Sequence, residues 1–458
     1  MTRAASIESI HGHFESGFEK ALAKNDPAER RIGVEHKFPL VNSDGSAADF
    51  DAVCALWDYL RGLGWRPVTD SMTGKVVGAA KAGERNDTVA SCETGFCKPE
   101  FSLAHVADLF ELERATEGLC DTLRRFSEDR QVYFLGYGIQ PVTPPCGDLM
   151  MKKTRTSVWE GTFGPDRIIP PAEGGDVCLF TVNAASHVHL SVTHDEAVAA
   201  VNVLNGFAGA QIALTAHSNV WKGRIDPEYK CAAEKLWDWW ILEPGRVGVP
   251  EKRFANLADY VDTVSSFRPV YVKRDGQPIV LKRYGSFAGY FASGKAVGED
   301  VHGEEHVVVP ETADIDLHST CYWYNARLSR YYTVENRAND QQPPDELTVV
   351  PALTLGLVSA LAEAAEEVES HDWQLLRDTR EEACRRGLEG RVGDLELRVL
   401  ACRMVDLAQL GLLRRGLGEE EFLAPLVRRI RNRKCPADTV ARLFERGGIE
   451  ALVDARRI

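Results

Sequence analysis

Apolar residues recur at helical spacing through FDAVCALWDYLRGLG and stop at Gly64, which predicts a helix over 50–64. The same periodicity predicts a longer amphipathic helix over 103–127 and another over 194–216. Between the first two, VASCETGFCKPEFSL reads as extended segments with turns at Gly95 and Pro99. VYFLGYGIQP (132–141) reads as a buried strand running into a turn from Gly136 to Pro141. The segment 178–192 ends in HVHLSV, whose alternation puts His187 and His189 on one strand face. The acidic tract 296–316 reads as an exposed loop around a short strand. From Pro351 onward four to five amphipathic helices follow with no strand between them. The pattern is therefore α+β, then all-α. It predicts a main domain over 1–348 and a helical region over 349–458 packed on it.

With 458 residues, 44% of them hydrophobic, the chain can bury a full core. A net charge of -14 argues against a nucleic-acid partner, which calls for a basic stripe. An anionic small substrate stays open, because a basic pocket can sit inside an acidic shell. The N-terminal stretch lacks a signal-peptide apolar core, and no run of about 18 apolar residues predicts a membrane span. The 11 cysteines include no CxxC pair, so a zinc ribbon is not expected, and reduced thiols in a cytoplasmic protein are.

Candidate chemistry begins at RIGVEHKFPLVN (31–42), where Glu35 sits on an apparent strand and Lys37 stands two positions on. Glu93, Glu100 and Glu335 lie on other extended segments. Carboxylates are costly on buried strands without partners, and Mg²⁺ is a common reason to gather several. Exposed edge carboxylates paired with Lys or Arg are the plainer alternative. His187 and His189 are a possible metal pair or a local packing pair. Arg155, Arg327, Arg330 and Arg337 have forks suited to carboxylate or phosphate, or to surface ion pairs. No GxxxxGK[ST] loop and no GxSxG elbow occurs.

Taken in order, these segments resemble the glutamate–cysteine ligases of the plant and proteobacterial class, relatives of glutamine synthetase. IGVEHKF resembles that family's Ile-Gly-x-Glu-His-Glu strand, and CETGFCKPEFSL its Glu-Pro-Gly-Gly-Gln-(Phe/Val)-Glu-Leu-Ser pair with an insertion. FLGYGIQP is similar to Phe-Leu-Gly-x-Gly-x-Gln-Pro. SHVHLSV sits where Val-Gln-Val-Asn-Leu-Asp is usual, and YYTVENRANDQQP where Leu-Glu-x-Arg-x-Ala-Asp is usual. TAHSNVWKG, VVPALTLGLV and CPADTVARLFERGG continue the likeness to the end of the chain.

The resemblance implies a glutamine-synthetase-like fold, a curved antiparallel sheet forming a funnel, and ATP- and Mg²⁺-dependent activation of the glutamate γ-carboxylate. It implies small-molecule partners (ATP, glutamate and an amino-acid or amine acceptor, cysteine by default) in a monomer or homodimer. Glu35, Glu100, Glu335 and His187 fall on metal-binding positions. Arg337 and Lys37 fall where catalysis is expected. Arg155, Glu93, Arg327, Arg330 and Lys230 are the expected substrate- or ATP-binding set. Some positions depart from the family. Lys37 replaces a carboxylate, and its ammonium is expected to pair with Glu100, Glu93 or Glu35. Lys98-Pro99 replaces Gln-(Phe/Val), and Pro99 points to an edge strand or a bulge. The family's arginine near EKLWDWW is missing, with Lys230 and Lys235 close by. Two readings follow, a divergent γ-glutamyl ligase and a non-catalytic homologue that binds ligand or partner without turnover.

Overall fold

Eight strands make one antiparallel sheet: β1 (Ile32–Lys37), β2 (Arg66–Thr69), β3 (Val76–Lys81), β4 (Thr88–Cys92), β5 (Pro99–Ser102), β6 (Ser186–Ser191), β7 (Ala326–Leu328) and β8 (Thr333–Asn336). Their order across the sheet is β7-β8-β6-β1-β5-β4-β3-β2. These come from a computed structural model that describes residues 3–21, 28, 30–162, 176–240 and 245–458.

Alternation along β1 sets the two faces. Ile32, Val34 and His36 are fully or nearly buried on the core side, and Glu35 and Lys37 take the other side. His36 stacks on Phe38 and approaches Thr116 of the helix Leu109–Arg130. Burial pushes its imidazole down to about 4, so it is a neutral core residue. Behind β6 and β1 lies the helix Val349–Ser359, apolar all round and almost wholly buried. Its Gly356 meets Gly411 of the helix Leu397–Arg415 so closely that a Cβ on Gly411 would fall 1.9 Å from the Gly356 carbonyl oxygen.

Several expected elements are corrected. The helix expected over 194–216 is two, Ala197–Gly206 and Ala208–Thr215, bent by 53°. Gly206 and Gly209 flank the bend because Val368 and Thr379 press where their Cβ atoms would be. The helix expected from 103 begins at Leu109, where the Asp108 carboxylate caps the N–H of Glu111. Only Val132–Phe134 of the 132–141 segment is strand, because Gly136 and Gly138 let the chain pass tightly against Gln342, Pro344 and Asp340. The 296–316 tract is a hairpin (Ala296–Glu299 with Glu305–Val308) followed by the helix Thr312–His318. The C-terminal region has six helices and a two-residue ladder at 391–396. Pro99 is on neither an edge nor a bulge: β5 lies between β1 and β4, and Pro99 is its first residue, where the missing N–H costs no ladder bond. None of the eleven cysteines is in a disulfide. No single helix among the described residues is long and apolar enough to cross a membrane.

Candidate active site

Register brings distant residues together on the face of the sheet that carries Glu35 and Lys37. Lys37 of β1 lies opposite Glu100 of β5, and Glu35 opposite His187 of β6. Glu335 of β8 lies opposite His189 of β6 on one side and Arg327 of β7 on the other. These side chains line a cavity of about 1160 Å³.

Lys37 Nζ is 3.0 Å from Glu100 Oε2, 3.5 Å from Glu35 Oε2 and 3.1 Å from His187 Nδ1. Burial alone would push the ammonium down, but Glu100, then Glu93 and Glu35, outweigh it and hold it above the ordinary lysine range. Glu100 Oε1 accepts from Ser102 Oγ at 3.2 Å. Its Oε2 has the Lys37 charge beside it and no aligned donor. Burial and the nearby Glu35 push Glu100 up to about 7, against the pull of Lys37. His187 is held down at about 3 by burial, Lys37 and Arg337, so the ring is neutral and a potential ligand; its Nδ1 lies 3.1 Å from Lys37 Nζ and 3.2 Å from Glu35 Oε2. Glu35 Oε1 meets His189 Nε2 at 3.2 Å, and His189 Nδ1 meets Thr333 Oγ1 at 3.1 Å. Arg327 Nε donates to Glu335 Oε2 at 2.8 Å, and Arg337 Nη1 donates to Glu335 Oε1. Although burial opposes it, these two guanidiniums hold the Glu335 carboxyl well below its usual range.

A second corner of the cavity is cationic. Lys98, Lys153 and Arg155 surround Glu93 there, and with Lys37 they pull its carboxyl far down in spite of burial. Lys98 Nζ donates to Asn183 Oδ1 at 2.8 Å. Burial pushes this ammonium down to about 8. Aromatic rings form the adjoining wall: Phe180 lies 4.3 Å from Trp237, and Trp237 stacks 6.0 Å from Trp323. Arg337 sits 5.8 Å over the Trp237 ring.

The expected residues thus divide. Glu35, Lys37, Glu93, Glu100, Arg155, His187, Arg327, Glu335 and Arg337 all face the cavity. Arg330 is at the rim, exposed and stacked on Tyr331. Lys230 does not line the cavity; its ammonium is tied to Asp438 at 2.7 Å and Glu389 at 3.5 Å, on the C-terminal helical side. His189 was visible as the partner of His187 in the alternating HVH, and Lys98 as a departure from the family pattern. Nothing local in the sequence marked Phe180, Trp237 and Trp323 as a wall, because they come from three separate segments.

For a divalent cation, the ligand atoms of Glu35, His187 and Glu335 lie within 4.8 Å of one another, which suits one ion. Glu100, expected to join them, is outside that group and is engaged by Lys37. Since Arg327 holds Glu335 Oε2, an ion there would draw on Oε1 and displace Arg337 from it.

The sequence profile of glutamate–cysteine ligase family 2 matches residues 31–455. A Rubrobacter xylanophilus protein provisionally named glutamate–cysteine ligase 2-3 is 27% identical over 395 residues, covering 85% of this chain and 92% of the relative. A Streptomyces avermitilis protein provisionally named glutamate–cysteine ligase 2-1 is 28% identical over 214 residues, 45% of each chain. Among solved structures, a Francisella tularensis glutamate–cysteine ligase in complex with AMP superposes with a TM-score of 0.54 at 10% identity, covering 93% of this chain and 87% of that one. The fold is the glutamine-synthetase-like α+β arrangement expected from the sequence.

Proposed function

Since this chain belongs to glutamate–cysteine ligase family 2, we propose that it is an ATP- and Mg²⁺-dependent carboxylate–amine ligase acting on the γ-carboxylate of glutamate. The observation that carries this reading is the convergence of Glu35, His187 and Glu335 with Arg327, Arg337 and Lys37 on one sheet face inside one cavity. A carboxylate is a poor electrophile. Its oxygen attacks the γ-phosphorus of ATP, ADP leaves, and the acyl phosphate formed is then attacked by an amine nitrogen. The amide forms as phosphate leaves, and the nitrogen loses a proton.

Both substrates are anionic, so the site must offset charge before they can approach. Arg337 is placed for this, because its hold on Glu335 is the contact that a cation would release. Arg155, Lys98 and Lys153 give the opposite corner the positive charge that a substrate carboxylate needs, with Glu93 available to an ammonium group. The aromatic wall excludes water from that corner. Mg²⁺ bound at Glu35, His187 and Glu335 would supply charge neutralisation of the phosphates. Cysteine is the acceptor that the family name suggests; no group among the described residues of the cavity selects a thiol.

A screen of the purified protein for amino-acid-dependent ADP release tests the reading. Release with glutamate plus one acceptor is expected. No release with any common amino acid, together with no nucleotide binding, would overturn it. The ion pair of Lys37 with Glu100, which takes up a family ligand position, is the observation that favours the second reading of binding without turnover.

A further inference from the structure

We propose that the chain carries a fixed cation of its own: the Lys37 ammonium stands in for a divalent ion between Glu35 and Glu100. One exchangeable divalent-cation position is then left, at Glu35, His187 and Glu335. The inference rests on the proposed function for the purpose of the ion, but it concerns the ion count alone.

An ammonium has three N–H donors. Lys37 Nζ has three polar atoms around it, Glu100 Oε2 at 3.0 Å, His187 Nδ1 at 3.1 Å and Glu35 Oε2 at 3.5 Å. Two ion-pair contacts and the hydrogen-bond contact with His187 hold it in place, and its position follows from the β1–β5 register that sets it opposite Glu100. A second Mg²⁺ bridging Glu100 and Glu35 would need their oxygens at about 2.1 Å, in the space Nζ already fills, and would meet its charge at close range. The remaining donor set shares Glu35 and His187 with Lys37 but leaves out Glu100, which is not among the three ligand groups that approach one another within 4.8 Å. Formal charge agrees. Glu35, Glu100 and Glu335 are matched by Lys37, Arg327 and Arg337, so an ion enters only where a cation gives way, as Arg337 can at Glu335 Oε1 and Lys37, fixed on its strand, cannot.

Binding of Mn²⁺ alone, counted from the loss of the free-ion electron paramagnetic resonance signal, tests this without turnover. With the separate group of Asp300, Glu304 and His306 disabled throughout by His306→Ala, one Mn²⁺ per chain is expected with Lys37 unsubstituted and in Lys37→Arg, and two in Lys37→Glu. Lys37→Met removes the ammonium without adding a ligand and should also admit a second, weaker ion. This variant decides the matter if Lys37→Glu fails to fold. Two or more ions with Lys37 unsubstituted, or none, would overturn the proposal, as would a count of one in every Lys37 variant that folds. A protein that holds one ion but releases no ADP keeps this inference and loses the proposed function. ADP release with two ions bound does the reverse.

Discussion

Two clusters of buried charge can be set side by side. In the seam between the helices Ala232–Lys235 and Trp373–Arg386, Arg380 Nε donates to Glu234 Oε1 at 2.8 Å and its Nη1 to Asp238 Oδ1 at 2.6 Å. Asn325 Nδ2 adds a 2.6 Å bond to Glu234, and Lys235 Nζ a 3.0 Å pair to Asp238. Each carboxylate there has two aligned donors, even though Arg380 and Lys235 each serve two carboxylates. In the cavity the same residue types fall short of that: Lys37 serves two glutamates and a histidine, and Glu100 Oε2 has a charge beside it but no aligned donor. Saturated pairs hold helices together. Unsaturated pairs leave lone pairs and charge to be taken up by a ligand.

The seam is the place to look for the largest loss of stability. Arg380→Ala leaves the buried Glu234 with Asn325 alone and the half-buried Asp238 with Lys235, and should cost about 3 kcal/mol in chemical denaturation. A cost under about 1 kcal/mol would show the seam to be ornamental. In the cavity the balance should reverse. Glu35→Gln is expected to lower amino-acid-dependent ADP release by at least ~100-fold. Stability should change by only about 1 kcal/mol, since Lys37 keeps Glu100 as a partner. Full activity in this variant would remove Glu35 from the site.

Asp340 belongs to neither cluster, and it sharpens the contrast. It is buried, and its Oδ2 accepts from the His217 backbone N–H at 2.6 Å and from Ser218 Oγ at 2.7 Å, with Cys231 Sγ at 3.3 Å. Burial pushes this carboxyl up to about 7, against those donors. An unfolded aspartate titrates near pH 4, so between about pH 4 and 7 the folded chain binds more protons than the unfolded one. Stability from this group therefore falls as pH rises across that window, by up to a few kcal/mol. Asp340→Asn should flatten the dependence of the melting temperature on pH there; an unchanged slope would show that Asp340 is ionised throughout. The smallest effect is expected at Lys230→Ala. Loss of its partly exposed pair with Asp438 should cost under about 1 kcal/mol and leave ADP release unchanged. A large drop in release would return Lys230 to the site.

Much of this was legible in the sequence, for reasons that differ from residue to residue. Alternation in IGVEHK and HVHLSV is enough to place Glu35, Lys37, His187 and His189 on common faces, because the side-chain period of a strand is a local property. Pairing is not local. That Lys37 falls opposite Glu100 depends on how β1 and β5 slide past each other, so the sequence could offer three carboxylate partners without choosing among them. Pro99 misled because a proline forbids only a donor, and the first residue of an interior strand can go without one. At the bend after Gly206 the chain packs closely against Val368, a residue more than a hundred positions away, and no helical periodicity records that contact. Lys230 lay near the right motif in sequence, yet its side chain runs to Asp438 on another helix.

The outer strand β2 has one further consequence, for behaviour at high concentration. It has a single neighbour, β3, so its other side is an open row of backbone groups of the kind that recruits foreign strands. Arg66 is exposed and paired with Asp87 there, Pro67 removes a donor, and the register shifts between Val68 and Thr69. Charge, proline and irregularity together make this border a poor template for aggregation, so a broad sheet that must stay open on one face for its cavity can remain dispersed.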